Sequence, residues 1–371
     1  MQLETIVEST PSPVIIGPPA KMTAFSSALR QSGYDIANCA KRLGVFGRLG
    51  VNFWPLMRSR WTPQETDIVD ALIELFIDGR EIAPDRLLAH LPSSFIDDAL
   101  EMKLIEPSGL LVHSKLCLFP CYGKYFATDR AIKNRGINQV MWLWGESYIL
   151  GGLVKRIPRR RAIDLGTGSG IHALLASEHS ERVTSVDINP RAIEFASFNA
   201  ALNGLTNVDF VLSDLLNSVD GTCDLLLANP PYAPDDAAQA GDNFWSGGHN
   251  GTVLLQRIVE ALPTRLDPDG AAHLIALYPN PPGTSIRDHF DRWLGGRIDE
   301  WQVLDHTWPV PHYDDVLSEQ PYTGDKSAWR FGVVSLRRAH NGAGWWKDVG
   351  GRGMFFAKDG SCTVVADHDA S

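Results

Sequence analysis

Ala162-Ile163-Asp164-Leu165-Gly166-Thr167-Gly168-Ser169-Gly170 runs an aliphatic strand into a glycine loop. Glycines let the backbone turn tightly and let a ligand approach the main chain. The free N–H groups at the start of the next helix favour a ligand's polar atoms. A dinucleotide site would need G-x-G-x-x-G. Here the third glycine stands one place early, and Ile171 takes the position that pattern reserves for glycine. Around this stretch the sequence alternates between strands and helices, which predicts a parallel α/β sheet. The strands expected are Ala162–Leu165, Val183–Asp187, Val208–Leu212, Leu225–Ala228, Ala272–Tyr278 and Arg330–Arg337, with helices such as Ile171–Ser177 and Pro190–Leu202 between them.

Three more strand ends carry chemistry. Val183-Thr184-Ser185-Val186-Asp187-Ile188 ends in a carboxylate placed to accept hydrogen bonds from both ribose hydroxyls of a nucleoside ligand. Ser213-Asp214-Leu215 repeats that arrangement one strand on. Asp224-Leu225-Leu226-Leu227-Ala228-Asn229-Pro230-Pro231-Tyr232 puts two prolines directly after a buried strand. The prolines stiffen the loop and remove two N–H donors. The Asn229 side-chain oxygen and the Pro230 carbonyl are then free to accept from the two hydrogens of one amino or amide group. Holding them draws the nitrogen toward tetrahedral geometry. Tyr232 can stack on a planar substrate group.

On these motifs, residues 161–280 resemble a class I S-adenosylmethionine-dependent methyltransferase with the Asn-Pro-Pro-Tyr signature. Within that class they are most similar to the release-factor glutamine methyltransferases (HemK-like) and their ribosomal-RNA and adenine-N6 relatives. Gly247-Gly248-His249-Asn250-Gly251, followed by a helix and Leu266-Asp267-Pro268-Asp269-Gly270, also resembles the glutamine-methylating branch. The resemblance implies a Rossmann-like sheet and S-adenosylmethionine as cofactor. Asp164, Gly166, Gly168, Gly170, Asp187, Ile188, Asp214, Leu215 and Asn229 would form the cofactor site, and Asn229, Pro230, Pro231 and Tyr232 would hold the methyl acceptor. Trp144, in Trp142-Leu143-Trp144-Gly145-Glu146-Ser147, stands where relatives cover the methionine end of the cofactor. The front of the chain departs from the glutamine enzymes, which carry a plain helical bundle there.

That front region reads as three helices and a small β-ribbon, a winged-helix-like pattern. Phe25, Leu29, Ile36 and Leu43 give residues 21–45 inner faces. Thr62 is a candidate helix cap with Pro63 behind it, ahead of the apolar stripe Ile68, Leu72, Leu75 and Phe76. Helices are expected over Asp85–Leu91 and Ser93–Met102, then strands at Leu104–Ile105, Leu110–Val112 and Leu116–Phe119. The domains expected are a lead-in over 1–20, the winged-helix-like region over 21–135, the methyltransferase domain over 136–338 and an appendage over 339–371.

The 371 residues include 34 Lys/Arg and 44 Asp/Glu, a net charge of −10, which excludes a generally basic nucleic-acid coat. Residues 162–371 alone hold 14 basic against 28 acidic side chains. Ser93–Met102, the candidate recognition helix, has three carboxylates and no Lys or Arg, so it would repel phosphates of duplex DNA. The basic run Lys155–Arg161 reads as a solvated lead into a strand. Five scattered cysteines fit reduced thiols in a cytoplasm. The N-terminus lacks the basic-then-apolar order of a signal peptide, and no stretch suits a membrane span. No metal is expected; His306, His312, Asp314 and Asp315 match no standard ligand spacing. His249 reads as a turn residue rather than a base.

The acceptor classes left open are an amide or amine nitrogen of a protein, peptide or small molecule; a hydroxyl of a small secondary metabolite; and a base of RNA or DNA. A cofactor-sensing regulator is a non-enzymatic alternative, against which the intact acceptor clamp speaks. The front region would dock a partner, pair two chains as a homodimer, or roof the substrate pocket.

Overall fold

Helix α1 (Pro19–Gln31) starts on a proline, whose fixed φ suits the first helical turn. It is followed by α2 (Ile36–Leu43) and a small antiparallel pair, β1 (Phe46–Gly47) with β2 (Gly50–Val51). The computed structural model describes residues 12–43, 46–47, 50–51, 62–63, 67–130, 138–232, 246–249, 251–279, 285–309, 329–339, 343–349, 354–356 and 362–364.

Helix α3 (Ile68–Ile73) is capped by Asp67, whose carboxylate accepts from the Asp70 N–H at 3.0 Å. Thr62 is therefore not its cap. Asp67 and Asp70 are both held at 2.7 Å by Arg42, and that ion-paired turn fixes the helix start. The helix widens into a π turn, Glu74–Asp78, and stops at Gly79 with φ 78°. Then come α4 (Asp85–Leu88), α5 (Phe95–Glu101), and the ribbon β3 (Glu106–Ser108) with β4 (Leu111–His113), to which Ile82 adds a bridge at Val112. Leu104 and Ile105 are no strand. Their N–H groups close back on the Ala99 carbonyl and their side chains are buried, so this apolar pair serves the core as a helix exit.

Strands β5 (Leu116–Cys121) and β6 (Lys124–Asp129) form a hairpin through Tyr122-Gly123, both at positive φ as a two-residue hairpin turn requires.

The second half opens with α6 (Gly145–Leu153) and continues as β7 (Arg159–Leu165), α7 (Ile171–Ala176), β8 (Ser180–Asp187), α8 (Pro190–Leu202), β9 (Val208–Leu212), β10 (Cys223–Ala228), α9 (Val253–Arg265), β11 (Leu266–Pro279), α10 (Ile286–Trp293), β12 (Trp301–Pro309), β13 (Trp329–Arg338) and β14 (Trp345–Asp348). Eight of these strands make one mixed sheet in the order β14-β12-β13-β11-β10-β7-β8-β9, with β13 the antiparallel member. Beyond Arg338 the sheet gains β14, parallel to β12. A last pair, β15 (Met354–Phe356) and β16 (Cys362–Val364), is antiparallel. The fold is α/β with a Rossmann-like arrangement. From β7 the chain runs outward through β8 and β9, then returns to β10 on the other side of β7. The strand order reverses between β7 and β10, and at such a switch point open α/β sheets usually take their ligand at the carboxyl ends of the strands.

Two apolar cores cover the two faces. One joins α6, α7 and α8 to the front region; the other lies under α9 and α10. The front region is fastened to the sheet by polar contacts with α8. Asn199 accepts from the Ala127 N–H at 2.8 Å and donates to the Ala127 carbonyl at 3.0 Å, and Asn203 does the same for Tyr125 at 2.9 and 2.8 Å. Two carboxamides thus satisfy the free edge of β6, as a neighbouring strand would. Arginines of the basic run are engaged within the chain: Arg156 donates to the Gly151 and Val154 carbonyls, Arg160 meets Asp267 at 2.8 Å, and Arg161 donates to the Asp220 carbonyl.

Candidate active site

The glycine loop leaves β7 with Gly166, Gly168 and Gly170 at φ 68°, 53° and 83°, a left-handed region that side chains disfavour. Space beside Gly168 is open, whereas a methyl on Gly170 would sit 3.0 Å from the Ala196 side chain. Asp164 lies beneath the loop. Its Oδ2 accepts from the Thr167 hydroxyl at 2.6 Å and the Ala173 N–H at 3.0 Å, and burial pushes its carboxyl up to about 7. Ser185 donates to the Thr167 hydroxyl at 2.8 Å and ties β8 to the same loop. Asn199 donates to the Ser169 carbonyl at 2.8 Å, so the residue that fastens the front region also holds this loop.

Asp187 ends β8 beside the loop. Its carboxylate accepts from the Gly168 N–H and from the Asn189 N–H, each at 2.9 Å, and burial holds its pKa above the usual range. Next to it Ile188 is 45% exposed and Leu212 49% exposed, a pair of bare aliphatic side chains at adjacent strand ends. That is a surface fit for the flat face of a base. Asp214 follows β9, but its Oδ2 is held by Arg257 of α9 at 2.8 Å. Leu215 sits at φ 48°, a conformation that non-glycine residues adopt mainly under constraint.

The loop after β10 stands against the glycine loop: a methyl on Gly166 would lie 3.8 Å from the Asn229 carbonyl oxygen. The Asn229 Oδ1 is buried and has no hydrogen-bond partner among the described residues. A buried acceptor left unmade costs about 1–3 kcal/mol, so it marks a place where a donor is due. Tyr232 is turned inward, 9% exposed. Its hydroxyl donates to Glu146 Oε1 at 3.0 Å, and its ring meets Phe331 edge-on with centroids 5.6 Å apart. Gly247 supports this loop from behind. A side chain there would collide with the Gly251 carbonyl and come within 2.8 Å of both the Pro231 carbonyl and the Tyr232 Cα. His249 is exposed on the same turn. Trp144 lies in the core, 4% exposed, with its ring 5.8 Å from that of Trp142. His306 is buried on β12, whereas His312, Asp314 and Asp315 fall outside the described residues.

The structure therefore brings together Gly166, Gly168, Gly170, Asp187, Ile188, Asn229, Pro230, Pro231 and Tyr232 at one end of the sheet. Sequence reasoning missed Glu146, Asn199 and Arg257. Only contact geometry singles them out, since each is an ordinary helix residue by type.

A family model, methyltransferase small domain, matches residues 145–293. A Methanocaldococcus jannaschii protein that bears the name of a protein N5-glutamine methyltransferase is 32% identical over 124 residues, which cover 32% of this chain and 62% of that one. The release factor glutamine methyltransferase of Deinococcus radiodurans is 35% identical over 128 residues, covering 32% and 46%. The mouse methyltransferase HEMK2 is 32% identical over 145 residues, covering 36% and 67%. The chain thus spans 46–67% of the length of these relatives.

Proposed function

This chain belongs to the methyltransferase family, and we propose that it moves the methyl group of S-adenosylmethionine to an amide or amine nitrogen of a protein. The observation that carries the reading is the Asn229 Oδ1, buried beside the glycine loop and without a hydrogen-bond partner among the described residues. Gly168, with open space beside it, leaves room for the cofactor against the backbone, Gly166 and Gly170 hold the turn at positive φ, Asp187 faces the ribose, and Ile188 and Leu212 face the base. The cofactor supplies a methyl carbon already activated by a sulfonium.

The chain's own residues then have to align the acceptor and exclude water. Asn229 Oδ1 and the Pro230 carbonyl accept the two hydrogens of one nitrogen and turn its lone pair toward the methyl carbon. This contact strengthens as the nitrogen becomes tetrahedral, so it acts on the transition state more than on the ground state. Tyr232 walls the pocket, with its hydroxyl engaged by Glu146 and its ring against Phe331.

The names of the relatives support a protein acceptor, since two of them are named for glutamine methylation. The front region over 21–135 is read as a winged-helix-like unit that docks this acceptor rather than duplex DNA. Helix α5 carries Asp97, Asp98 and Glu101. It is also covered by α1, where Phe25 stacks on Phe95 at 4.4 Å and Lys21 meets Asp98 at 3.5 Å. Free thiols at Cys39, Cys117, Cys121 and Cys223 fit a cytoplasmic setting.

The test is transfer of labelled methyl from S-adenosylmethionine to purified bacterial release factor, to a nucleic-acid fraction and to a small-molecule fraction, by wild type and Asn229→Ala. The reading expects label in protein, and a loss of about 10²–10³ in rate for the variant. Label in a hydroxyl of a small molecule, with Asn229→Ala near normal, would replace it with O-methylation.

A further inference from the structure

We propose that Glu146 is a positioning residue for methyl transfer: its carboxylate holds the Tyr232 hydroxyl, so the geometry of the acceptor loop follows the charge on Glu146. The inference rests on the methyl-transfer reading above. Glu146 sits in the first turn of α6, 86 residues before Tyr232 in sequence, and is buried. The hydrogen bond is 3.0 Å long. Tyr232 is held at its hydroxyl by Glu146 and at its ring edge by Phe331, and Gly247 packs close behind its Cα. Asn229 and Pro230 precede it by three and two residues through a proline pair that cannot flex freely. A shift of the Tyr232 ring is therefore passed to the two oxygens that hold the acceptor.

A buried carboxylate is a costly anchor where a neutral side chain would serve. Among the described residues no cation pairs with it, and Tyr232 is the side chain that bears on its proton. Burial raises its pKa to about 7, opposed by its own backbone N–H and by the Tyr232 hydroxyl. Other ionisable groups meet α6: His172 from α7, Tyr122, whose hydroxyl donates to the Tyr148 carbonyl at 2.8 Å, and Arg156, which donates to the Gly151 carbonyl. None of these is among the causes of the shift. When ionised, Glu146 gives Tyr232 a charge-assisted hydrogen bond, roughly twice as strong as a neutral one. When protonated it gives a weaker one and the loop loosens. Turnover should therefore rise with pH through about 7. Asp164 titrates in the same range, but its partners are Thr167 and Ala173, under the other loop.

The experiment compares wild type, Glu146→Gln and Tyr232→Phe, each first checked for folding by thermal melting. Methyl transfer from labelled S-adenosylmethionine to purified release factor is followed from pH 6 to pH 9. In parallel, protein labelled with ¹³C at the tyrosine Cζ is titrated by NMR without any acceptor. Wild type should show kcat rising through about pH 7, and one tyrosine resonance moving over the same range. Glu146→Gln should lose both, with kcat at pH 8 about tenfold lower and KM for S-adenosylmethionine within about twofold. Tyr232→Phe should lack the moving resonance. An inflection that survives in Glu146→Gln, or an unmoved tyrosine resonance in wild type, overturns the proposal. If wild type labels no protein, the methyl-transfer reading fails, and the NMR titration still decides the link between Glu146 and Tyr232.

Discussion

Arg191 grips Asp129 with two hydrogen bonds, Nε to Oδ2 at 2.9 Å and Nη2 to Oδ1 at 2.6 Å. Asp129 closes the last strand of the front region and is 1% exposed, while Arg191 opens the helix that follows Asp187. The front region is thus clamped to the cofactor side of the sheet. Removing one partner of a buried pair is expensive. Asp129→Ala should lower unfolding stability by about 3 kcal/mol in a denaturant titration. Arg191→Lys should also lose stability, because lysine cannot make both bonds. An unshifted midpoint in Asp129→Ala would show that the clamp holds nothing.

Asp187→Ala should weaken S-adenosylmethionine binding by roughly 2–4 kcal/mol in calorimetry. The loss has two sources: the contacts to the ligand, and the brace that Asp187 gives to the Gly168 N–H at 2.9 Å. Unchanged affinity in a folded variant would remove Asp187 from the site.

Gly247→Ala should damage catalysis more than folding. The added methyl must push the Pro231 carbonyl or the Tyr232 Cα, each 2.8 Å from where it would stand. Overpacking of this kind costs about 1–3 kcal/mol of stability. The displaced acceptor loop should lower kcat at least tenfold while cofactor affinity stays near normal. Wild-type kcat in this variant would show that the loop absorbs the change without moving Asn229.

His172 is buried on α7, and neither ring nitrogen has a hydrogen-bond partner among the described residues. Burial lowers its pKa from 6.5 to about 3. A depressed folded value means that its contribution to stability is complete above pH 6.5 and is lost as pH falls toward 3. At pH 5 the unfolded imidazole is protonated and the folded one is not, a difference of about 2 kcal/mol. Between pH 8 and pH 5, wild type should lose about that much more stability than His172→Leu in paired unfolding titrations. Asp164 and Glu146, whose values are raised to about 7, act in the opposite sense and cancel in the comparison. Parallel pH profiles for the two proteins would refute the assignment.

The parallel strands of the sheet were legible because their apolar runs end in marked residues: glycines after Leu165, Asp187 after Val186, Asn229 after Ala228. Strand β12 escaped because its run Trp301-Gln302-Val303-Leu304-Asp305-His306-Thr307 mixes polar and apolar types. Asp305 and Thr307 are buried there as partners of each other, at 2.6 Å, and not as a solvent face. Strand β6 was hidden for a related reason. Lys124–Asp129 is buried at every position, so no alternation marks it, and its edge is met by asparagines rather than by another strand. In the site, glycine and proline spacing announced the loops, since those residues constrain the backbone locally. Glu146 and Asn199 act across 86 and 72 residues. Such contacts leave no local pattern to read.

Helix α1 packs both on α5 and on α8. Its second partner ends at Leu202, 171 residues after Gln31. On a ribosome adding about 5–20 residues per second, α1 is made on the order of ten seconds before α8 exists. Through that interval Met22, Phe25 and Leu29, all buried in the finished protein, are only partly covered. Helix α1 is made well before the partner that completes its cover, which leaves its apolar face bare on the nascent chain and a natural place for a chaperone to hold.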